Sequence, residues 1–203
     1  MRNKRYTGAV STTDDWSTRH SVLATARRTA ALVNVLSGDD PDRPGPAEVA
    51  HVTDVLRAYG ETGPLDLTAR DVAEMRTGAA LLREVFAAHD ADAAAAVLNR
   101  LLRAHTGQLR LTSHEGRTPW HPHLDTDDDA AWDEWFLASS CMALTVLVWD
   151  HQRPPGGVCA SPGCRNVFLT QGSGPERRYC SRRCATRERV AAHRRARSAG
   201  RGR

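Results

Sequence analysis

Apolar residues recur every three or four positions in four segments of the first 105 residues, as they do along the buried face of a helix. The four predicted helices cover residues 16–36, 46–60, 68–88 and 90–105. Pro46 suits the first position of a helix, and Thr68 with Asp71 resembles a capping pair. Asp90 suits the N-cap of the fourth helix. Residues 1–15 are polar and aperiodic, and we expect them to be disordered.

The pattern changes to alternation after residue 105. Leu109 and Leu111, then Trp120 and Leu124, alternate with polar residues on either side of the turn-forming stretch SHEGRT. This alternation predicts a short two-stranded hairpin. Residues 125–151 return to a helical pattern that is apolar nearly all round in its second half, which predicts the central helix of the body. We expect the aspartates at 127–129 to lie at the start of this helix and to favour its dipole.

The net charge of +4 is distributed unevenly along the chain. Residues 151–203 contain thirteen arginines against Glu176 and Glu188, a balance of +11. The first 150 residues carry 15 basic and 22 acidic residues, a balance of −7. An acidic body with a strongly basic tail indicates a polyanion-binding module joined to a second unit. A merely solubilising tail is the alternative.

Four of the five cysteines fall within 26 residues, at the spacing C-x(4)-C-x(15)-C-x(3)-C. They are Cys159, Cys164, Cys180 and Cys184. Two close pairs separated by a loop can converge on one tetrahedral ion, and four thiolates leave no open coordination position, so we predict one structural Zn²⁺. Pro162 and Gly163 favour the turn within the first pair, and Ser181 suits the N-cap of a helix that carries Cys184. The alternatives are a reduced cluster without metal or two disulfides.

The sequence also indicates a class of protein by the motifs that it lacks. It shows no signal peptide, and its longest apolar run, residues 141–149, is too short to cross a bilayer. We therefore expect a cytoplasmic protein without a membrane partner, where clustered cysteines more often bind metal than form disulfides. It contains no nucleophile elbow, phosphate-binding loop, dinucleotide fingerprint or H-E-x-x-H motif, so we do not expect an enzyme.

Basic residues gather on one face of the helix predicted after Cys180. At about 100° per residue they share an arc of roughly 160°, with alanines and Cys184 on the other side. The arc consists of Arg182, Arg183, Arg187, Arg189, His193, Arg194 and Arg197. The planar guanidinium suits phosphates and guanine edges, whereas a solvated helix of this kind would repel itself without an anionic partner. Only Phe168 and Tyr179 could stack on bases, so we predict double-stranded DNA rather than RNA.

The stretches CASPGC, RRYCSRRCATR and RVAAHRRAR resemble the CGNR-type zinc finger found at the C-terminus of bacterial stress-induced transcription regulators. The resemblance covers about residues 157–197. The tetrapeptide that names the family reads Cys-Ala-Thr-Arg here, at residues 184–187, so cysteine and arginine are kept while glycine and asparagine are replaced. The resemblance implies a zinc-dependent DNA-binding tail. It also implies a mostly helical N-terminal domain of the ABATE type, which would sense a ligand.

One stretch of the body has the residue types of a ligand or metal site. In WHPHLD, His121, His123 and Asp125 would share one face of a strand, which Pro122 restricts to a sheet edge. The alternative is a pair of histidines that are hydrogen-bonded at the surface. A second set would either line an apolar pocket or belong to the core: Trp120, Trp132, Trp135, Trp149 and Phe136. Cys141 lies among apolar residues and would be an inert buried thiol.

Taken as a whole, the sequence predicts a mainly α protein with a short β-hairpin and a small C-terminal four-cysteine zinc finger that ends in a basic helix. The expected division is a disordered start (1–15), an ABATE-like sensor domain (16–150), a linker (151–157), a CGNR-like finger (158–197) and a basic tail (198–203). The leading hypothesis is a DNA-binding transcription regulator with a small-molecule effector. One finger covers few base pairs, so useful specificity would need a homodimer. The alternatives are an adaptor that binds an acidic protein and a metalloenzyme that uses His121, His123 and Asp125.

Overall fold

The computed structural model describes residues 18–37, 45–61, 64–116, 118–170 and 177–200. The predicted disordered start at 1–15 and the last three residues of the predicted basic tail lie outside these ranges. Within them the protein is mainly α, with six helices and two small antiparallel hairpins, which confirms the predicted fold class. No helix in the described ranges is both long enough and apolar enough to cross a membrane.

The first four helices follow the predicted segments closely. They are α1 (Thr18–Leu36), α2 (Pro46–Ala58), α3 (Ala69–Ala87) and α4 (Ala91–His105). Pro46 is the first residue of α2. The Thr68 side chain accepts a hydrogen bond from the Asp71 backbone N–H, and the Asp71 carboxylate accepts one from the Thr68 backbone N–H. This capping box and the Asp90 cap of α4 satisfy backbone donors that the first turn leaves unpaired, which is why these helices begin where the sequence predicts.

The fifth helix, α5 (Trp132–His151), forms the centre of the body. It packs against α1, α3 and α4, and eleven of its residues are buried, which agrees with its apolar character on all sides. Trp132, Trp135, Phe136 and Cys141 are buried, whereas the Trp120 and Trp149 side chains are 72% and 74% exposed. The tryptophan set is therefore divided between core and surface. Burial raises the pKa of the Cys141 thiol to about 12, which keeps it protonated and inert.

The predicted hairpin before α5 is present and consists of β1 (Arg110–Thr112) and β2 (His121–His123). The strands are antiparallel, with Arg110 opposite His123 and Thr112 opposite His121. The expectation for the aspartates at 127–129 was wrong, since α5 begins only at Trp132 and has Asp133 and Glu134 in its first turn. The earlier aspartates lie in the connection from β2, and Asp128 pairs with groups of the hairpin instead.

A second hairpin, which the sequence pattern did not predict, carries the cysteine segment. It consists of β3 (Gly156–Val158) and β4 (Val167–Leu169), and it packs on α1 and α3. Val167 is buried in the same apolar core as α5. The connection from the body is shorter than the predicted linker at 151–157, because α5 continues through His151 and β3 begins at Gly156. The finger is thus packed on the body rather than tethered at a distance.

The last helix, α6 (Arg182–Gly200), differs from the others in its surroundings. Within the described part of the chain, no other helix or strand packs against it. Its residues from Arg194 to Arg197 are exposed on every side. Most of the stability of a helix in a folded protein comes from tertiary packing. Contacts at its first turn and with any partner must therefore stabilise α6.

Candidate metal centres and the basic helix

The four predicted zinc ligands come together around one point. Cys159 follows β3, Cys164 follows the next turn, Cys180 precedes α6, and Cys184 lies in the first turn of α6. Their four sulfur atoms all lie within 4.8 Å of one another. Cys180 Sγ is 3.7 Å from both Cys164 Sγ and Cys184 Sγ. A tetrahedron of sulfurs at about 2.3 Å from zinc has edges of roughly 3.8 Å, so this arrangement matches a four-thiolate site.

Local backbone geometry places each pair of cysteines. The turn between the first two closes with a hydrogen bond from Cys164 N–H to Ser161 O at 2.9 Å, and Gly163 takes a φ of +74° that favours glycine. At the second pair, Ser181 Oγ accepts from Cys184 N–H at 3.2 Å, as the predicted N-cap should. The hydrogen bond that caps α6 thus also fixes the backbone position of the ligand Cys184.

The pKa values of the Cys159 and Cys180 thiols are shifted in opposite directions. Burial alone would raise the pKa of Cys159, but hydrogen bonds from the backbone N–H groups of Cys180 and Ser161 bring it down to about 7. The pKa of Cys180 is raised to about 12 by burial and by the neighbouring cysteine sulfurs. One thiolate therefore forms easily while further negative charges repel, and a bound dication removes that repulsion. Four cysteines at these distances fit one structural zinc and leave no position for a substrate.

Arg187, which the sequence placed in the cationic arc, contacts the turn between the first two cysteines of the finger. Its Nε and Nη2 donate to Ser161 Oγ at 3.1 and 2.6 Å, and Nη2 lies 3.8 Å from Cys184 Sγ. Ser161 in turn donates to Glu188 Oε1 at 2.5 Å. The side chain is still 51% exposed. A cation beside a metal-bound thiolate stabilises its charge, so Arg187 has a structural task whether or not it also contacts a partner.

The other members of the predicted DNA-binding set lie at the surface of α6. Each has an exposed side chain: Arg182, Arg183, Arg189, His193, Arg194 and Arg197. Arg195 is also exposed, although it was left out of the predicted arc. The helix then carries seven arginines and one glutamate. Because the far half of α6 is exposed all round, cationic groups surround it there and are not confined to one face.

The body contains a second cluster of ligand-type side chains, formed by three histidines. His114, His121 and His123 bring one ring nitrogen each to within 4.8 Å of the others. The Nε2 of His121 lies 3.2 Å from that of His114 and 3.0 Å from that of His123. Of the predicted set, His121 and His123 therefore converge. Asp125 does not join them as a third ligand atom, and His114 takes that place.

Asp125 and its neighbour Asp128 instead hold the outer nitrogens of two of the rings. His123 Nδ1 lies 2.8 Å from Asp125 Oδ1, and His114 Nδ1 lies 3.0 Å from Asp128 Oδ2. Arg110 joins the two carboxylates, at 2.6 Å from Asp125 and 2.8 Å from Asp128. Burial would raise the pKa of both aspartates, but hydrogen bonds from His123 and Arg110 lower that of Asp125, and Arg110, His114 and Thr112 lower that of Asp128. Both carboxylates are therefore ionised.

Burial keeps two of the imidazoles, those of His114 and His121, in the neutral form. His114 is 1% exposed, and burial lowers its pKa to about 4, although Asp128 acts in the opposite direction. Burial also lowers the pKa of His121. Neutral imidazole is the form that binds metals.

His114 was missed because its position depends on a turn. It follows β1 with a left-handed backbone (φ +48°), and the next residue, Glu115, has a φ of +61°. Non-glycine residues adopt this conformation rarely, and it costs about 1–3 kcal/mol, so surrounding structure must hold it. Its N–H donates to Thr112 Oγ1 at 3.0 Å, which is part of that support. The signal in the sequence was a histidine in the predicted turn SHEGRT, a few residues before His121.

A cavity of about 280 Å³ lies beside the histidines. Its walls are largely apolar and include His121, His123, Trp135 and Met142. Arg28 and Glu61 also line it, and they form a partly buried ion pair at 2.7 Å. The Arg28 guanidinium lies over the Trp135 ring, 4.3 Å from its centre. An apolar space with a few fixed polar groups is typical of small-molecule sites.

Comparison with known proteins supports the assignment of the tail. Residues 157–197 match the family model of the CGNR zinc finger. The matched range contains all four cysteines, β3, β4 and most of α6. A search of the curated proteins gives no match to the chain. The zinc-binding module therefore rests on two independent observations, the family match and the converging sulfurs.

Proposed function

We propose that this protein is a DNA-binding transcription regulator, in which zinc shapes the DNA-contacting tail and the body senses a small molecule. The observation that carries the proposal is α6. It has seven arginines, and it begins at the metal site yet packs against no other helix or strand of the described residues. Repulsion among these cations disfavours an unpartnered helix, whereas a phosphate backbone offers charges along its whole length.

The finger also has a fixed relation to the body, which favours regulation by the body. The β3–β4 hairpin packs on α1 and α3, and the Arg83 guanidinium donates to the Arg165 carbonyl. Asn34 of α1 is hydrogen-bonded to the backbone of Val167 in β4. A ligand that moves α1 would therefore also act on the finger, which is a physical route from sensing to DNA binding.

Helix α1 contacts both the cavity of the body and the β3–β4 hairpin of the finger. Arg28, which lines the body cavity, lies six residues before Asn34, or about 9 Å along the helix. The cavity volume and its apolar walls suit a small organic effector. The Arg28–Glu61 pair offers hydrogen-bonding groups to orient it. The effector and DNA would then be coupled through one rigid element.

DNA binding is tested with the full-length protein and duplexes of random sequence over a range of salt concentrations. Release of counterions predicts an affinity that falls steeply with salt, with a slope of about 0.9 for each phosphate neutralised. Arg183→Ala and Arg197→Ala should each lower this slope by about one. Arg103→Ala is the matched control, since it removes an exposed arginine from α4 in the body.

Two outcomes would contradict the proposal. One is the absence of binding to any duplex at low salt by zinc-loaded protein. The other is an equal loss for the control and the α6 variants. Tight binding to a polyglutamate chain together with failure to bind duplex DNA would instead favour an adaptor for an acidic protein. Selection of bound sequences from random DNA then reports on the homodimer, because a palindromic site requires two fingers.

A further inference from the structure

We infer that His114, His121 and His123 form a second metal site, in the body, which binds a first-row transition-metal dication such as zinc through three Nε2 atoms. The inference is independent of DNA binding and of the four-cysteine site. It rests on the geometry of the cluster and on the groups that face the outer ring nitrogens.

The inner nitrogens have the spacing of metal ligands. The two Nε2 separations given by His121, 3.2 Å to His114 and 3.0 Å to His123, approach the distance between nitrogens bound to one ion. Nitrogens at 2.0–2.1 Å from tetrahedral zinc lie roughly 3.3 Å apart. The ring centres are 4.8–5.0 Å from one another, and the ring planes are tilted by 45–74° instead of stacked. Tilted rings can direct three nitrogens to one point.

The groups that face the outer ring nitrogens, Nδ1, favour one tautomer of the ring. His123 Nδ1 faces the Asp125 carboxylate, His114 Nδ1 faces the Asp128 carboxylate, and His121 Nδ1 lies 2.8 Å from the Pro119 carbonyl oxygen. An ionised carboxylate or a carbonyl can only accept a hydrogen bond, so His121 and His123 carry their proton at Nδ1, whereas His114 Nδ1 contacts Asp128 at ion-pair distance without hydrogen-bond geometry. A ring with its single proton at Nδ1 presents a lone pair at Nε2, which can bind a metal. Hydrogen bonds from ligand histidines to carboxylates and carbonyls are the usual outer support of a metal site.

A single cation can be bound by three ring nitrogens that face one another. Where neither Nε2 of a pair carries a proton, two such atoms at 3.0–3.2 Å repel each other through their lone pairs. One metal dication satisfies all three nitrogens at once. The carboxylates held by Arg110 then supply negative charge just outside the ligands, which increases the basicity of the rings.

The site differs in kind from the four-cysteine centre. Three nitrogen ligands leave one position of a tetrahedral ion for water or an anion, whereas four thiolates leave none. His121 and His123 also line the apolar cavity of about 280 Å³, so a small ligand in that cavity has access to the cluster. Imidazole nitrogens without sulfur suit zinc, nickel, copper and iron, and zinc serves as the probe.

The first experiment measures metal content of the full-length protein after purification with excess zinc and gel filtration. Wild type should carry two equivalents of zinc. His121→Ala and the double variant Cys159→Ser with Cys180→Ser should each carry one. His51→Ala, which removes an exposed histidine of α2, should keep two. A single equivalent in wild type, or two in His121→Ala, would overturn the inference.

The second experiment identifies the donor atoms with Co²⁺ as the probe. In the cysteine double variant, Co²⁺ should give visible d–d bands of a nitrogen site without the near-ultraviolet charge transfer of thiolates. Addition of azide should change those bands, because one position is open. Thiolate bands, or d–d bands that are unchanged by azide, would contradict the proposed ligands.

A third variant covers the case in which loss of a histidine unfolds the hairpin. Asp125→Asn keeps the shape of the residue and all three ligands but weakens the support of His123. Its zinc affinity in the body site, measured by competition with a chelator, should fall by about 10–100-fold. Far-ultraviolet circular dichroism checks that the helices remain. Zinc affinity equal to that of wild type in Asp125→Asn would count against a metal at the three histidines.

Discussion

The Asn34 side chain in α1 makes two hydrogen bonds to the backbone of Val167 in β4, as the backbone of an adjacent strand would. Its Nδ2 donates to the Val167 carbonyl at 3.1 Å, and its Oδ1 accepts from the Val167 N–H at 2.7 Å. Val167 is 2% exposed, so water cannot replace these bonds. One side chain of the body thus satisfies both backbone groups of a finger residue that is 133 positions away.

Asn34→Ala should weaken the packing of the finger on the body. Two buried backbone groups would lose their partners, at a cost of about 1–3 kcal/mol in the free energy of unfolding. Chemical denaturation measures that cost, and hydrogen exchange at the Val167 amide reports the local opening. Asn99→Ala, at an exposed position of α4, is the control. Unchanged exchange at Val167 would show that the pair does not hold the hairpin.

Gly156→Ala tests the close approach of the two strands that carry the finger. A Cβ at residue 156 would lie 1.8 Å from the Phe168 carbonyl oxygen, so the β3–β4 backbone would have to separate. We expect a loss of about 1–3 kcal/mol, as for overpacking of a core, together with weaker protection of Val167. Gly45→Ala is the matched control, because a Cβ there meets no atom within 4 Å. Equal stability of the two variants would refute the steric argument.

Cys180→Ser should abolish the four-thiolate centre while leaving the body folded. Loss of one thiolate leaves three ligands, and metal binding supplies folding free energy that so small a segment cannot obtain from apolar burial. The thiolate charge-transfer bands of Co²⁺ should disappear, while the circular dichroism of the body helices persists. Co²⁺ spectra are needed because total zinc would still include the metal of the histidine site. Four-sulfur spectra in this variant would contradict the ligand assignment.

Arg187→Ala should affect zinc binding more than the other arginine substitutions do. It removes two hydrogen bonds to Ser161 and the cation beside the Cys184 sulfur, so zinc should dissociate about 10–100-fold more readily. Arg197→Ala, near the exposed end of α6, should leave zinc affinity unchanged and lower the salt slope of DNA binding by about one. Chelator competition and DNA titration separate the two effects. A wild-type zinc affinity for Arg187→Ala would show that the contacts of Arg187 with Ser161 and Cys184 do not support the zinc site.

Features that depend on near neighbours in the chain were determined by the sequence itself. The capping box of Thr68 with Asp71 and the Ser181 cap of α6 join residues three apart. The cysteine spacing allowed one tetrahedral site because each pair is closed by a single turn. The helix periodicity indicated the buried faces, and the continuous apolar surface of α5 indicated its central place.

Features that depend on distant segments were decided only by the tertiary structure. His114 joins His121 because a left-handed turn reverses the chain between them, and no periodic pattern encodes that turn. Asp125 shares a strand face with the histidines in the sequence pattern, yet its position beyond β2 places its carboxylate behind His123. The sequence thus indicated the four cysteine ligands and two of the three clustered histidines. The packing of the hairpins against the helices decided which of them face inward as ligands and which support them from outside.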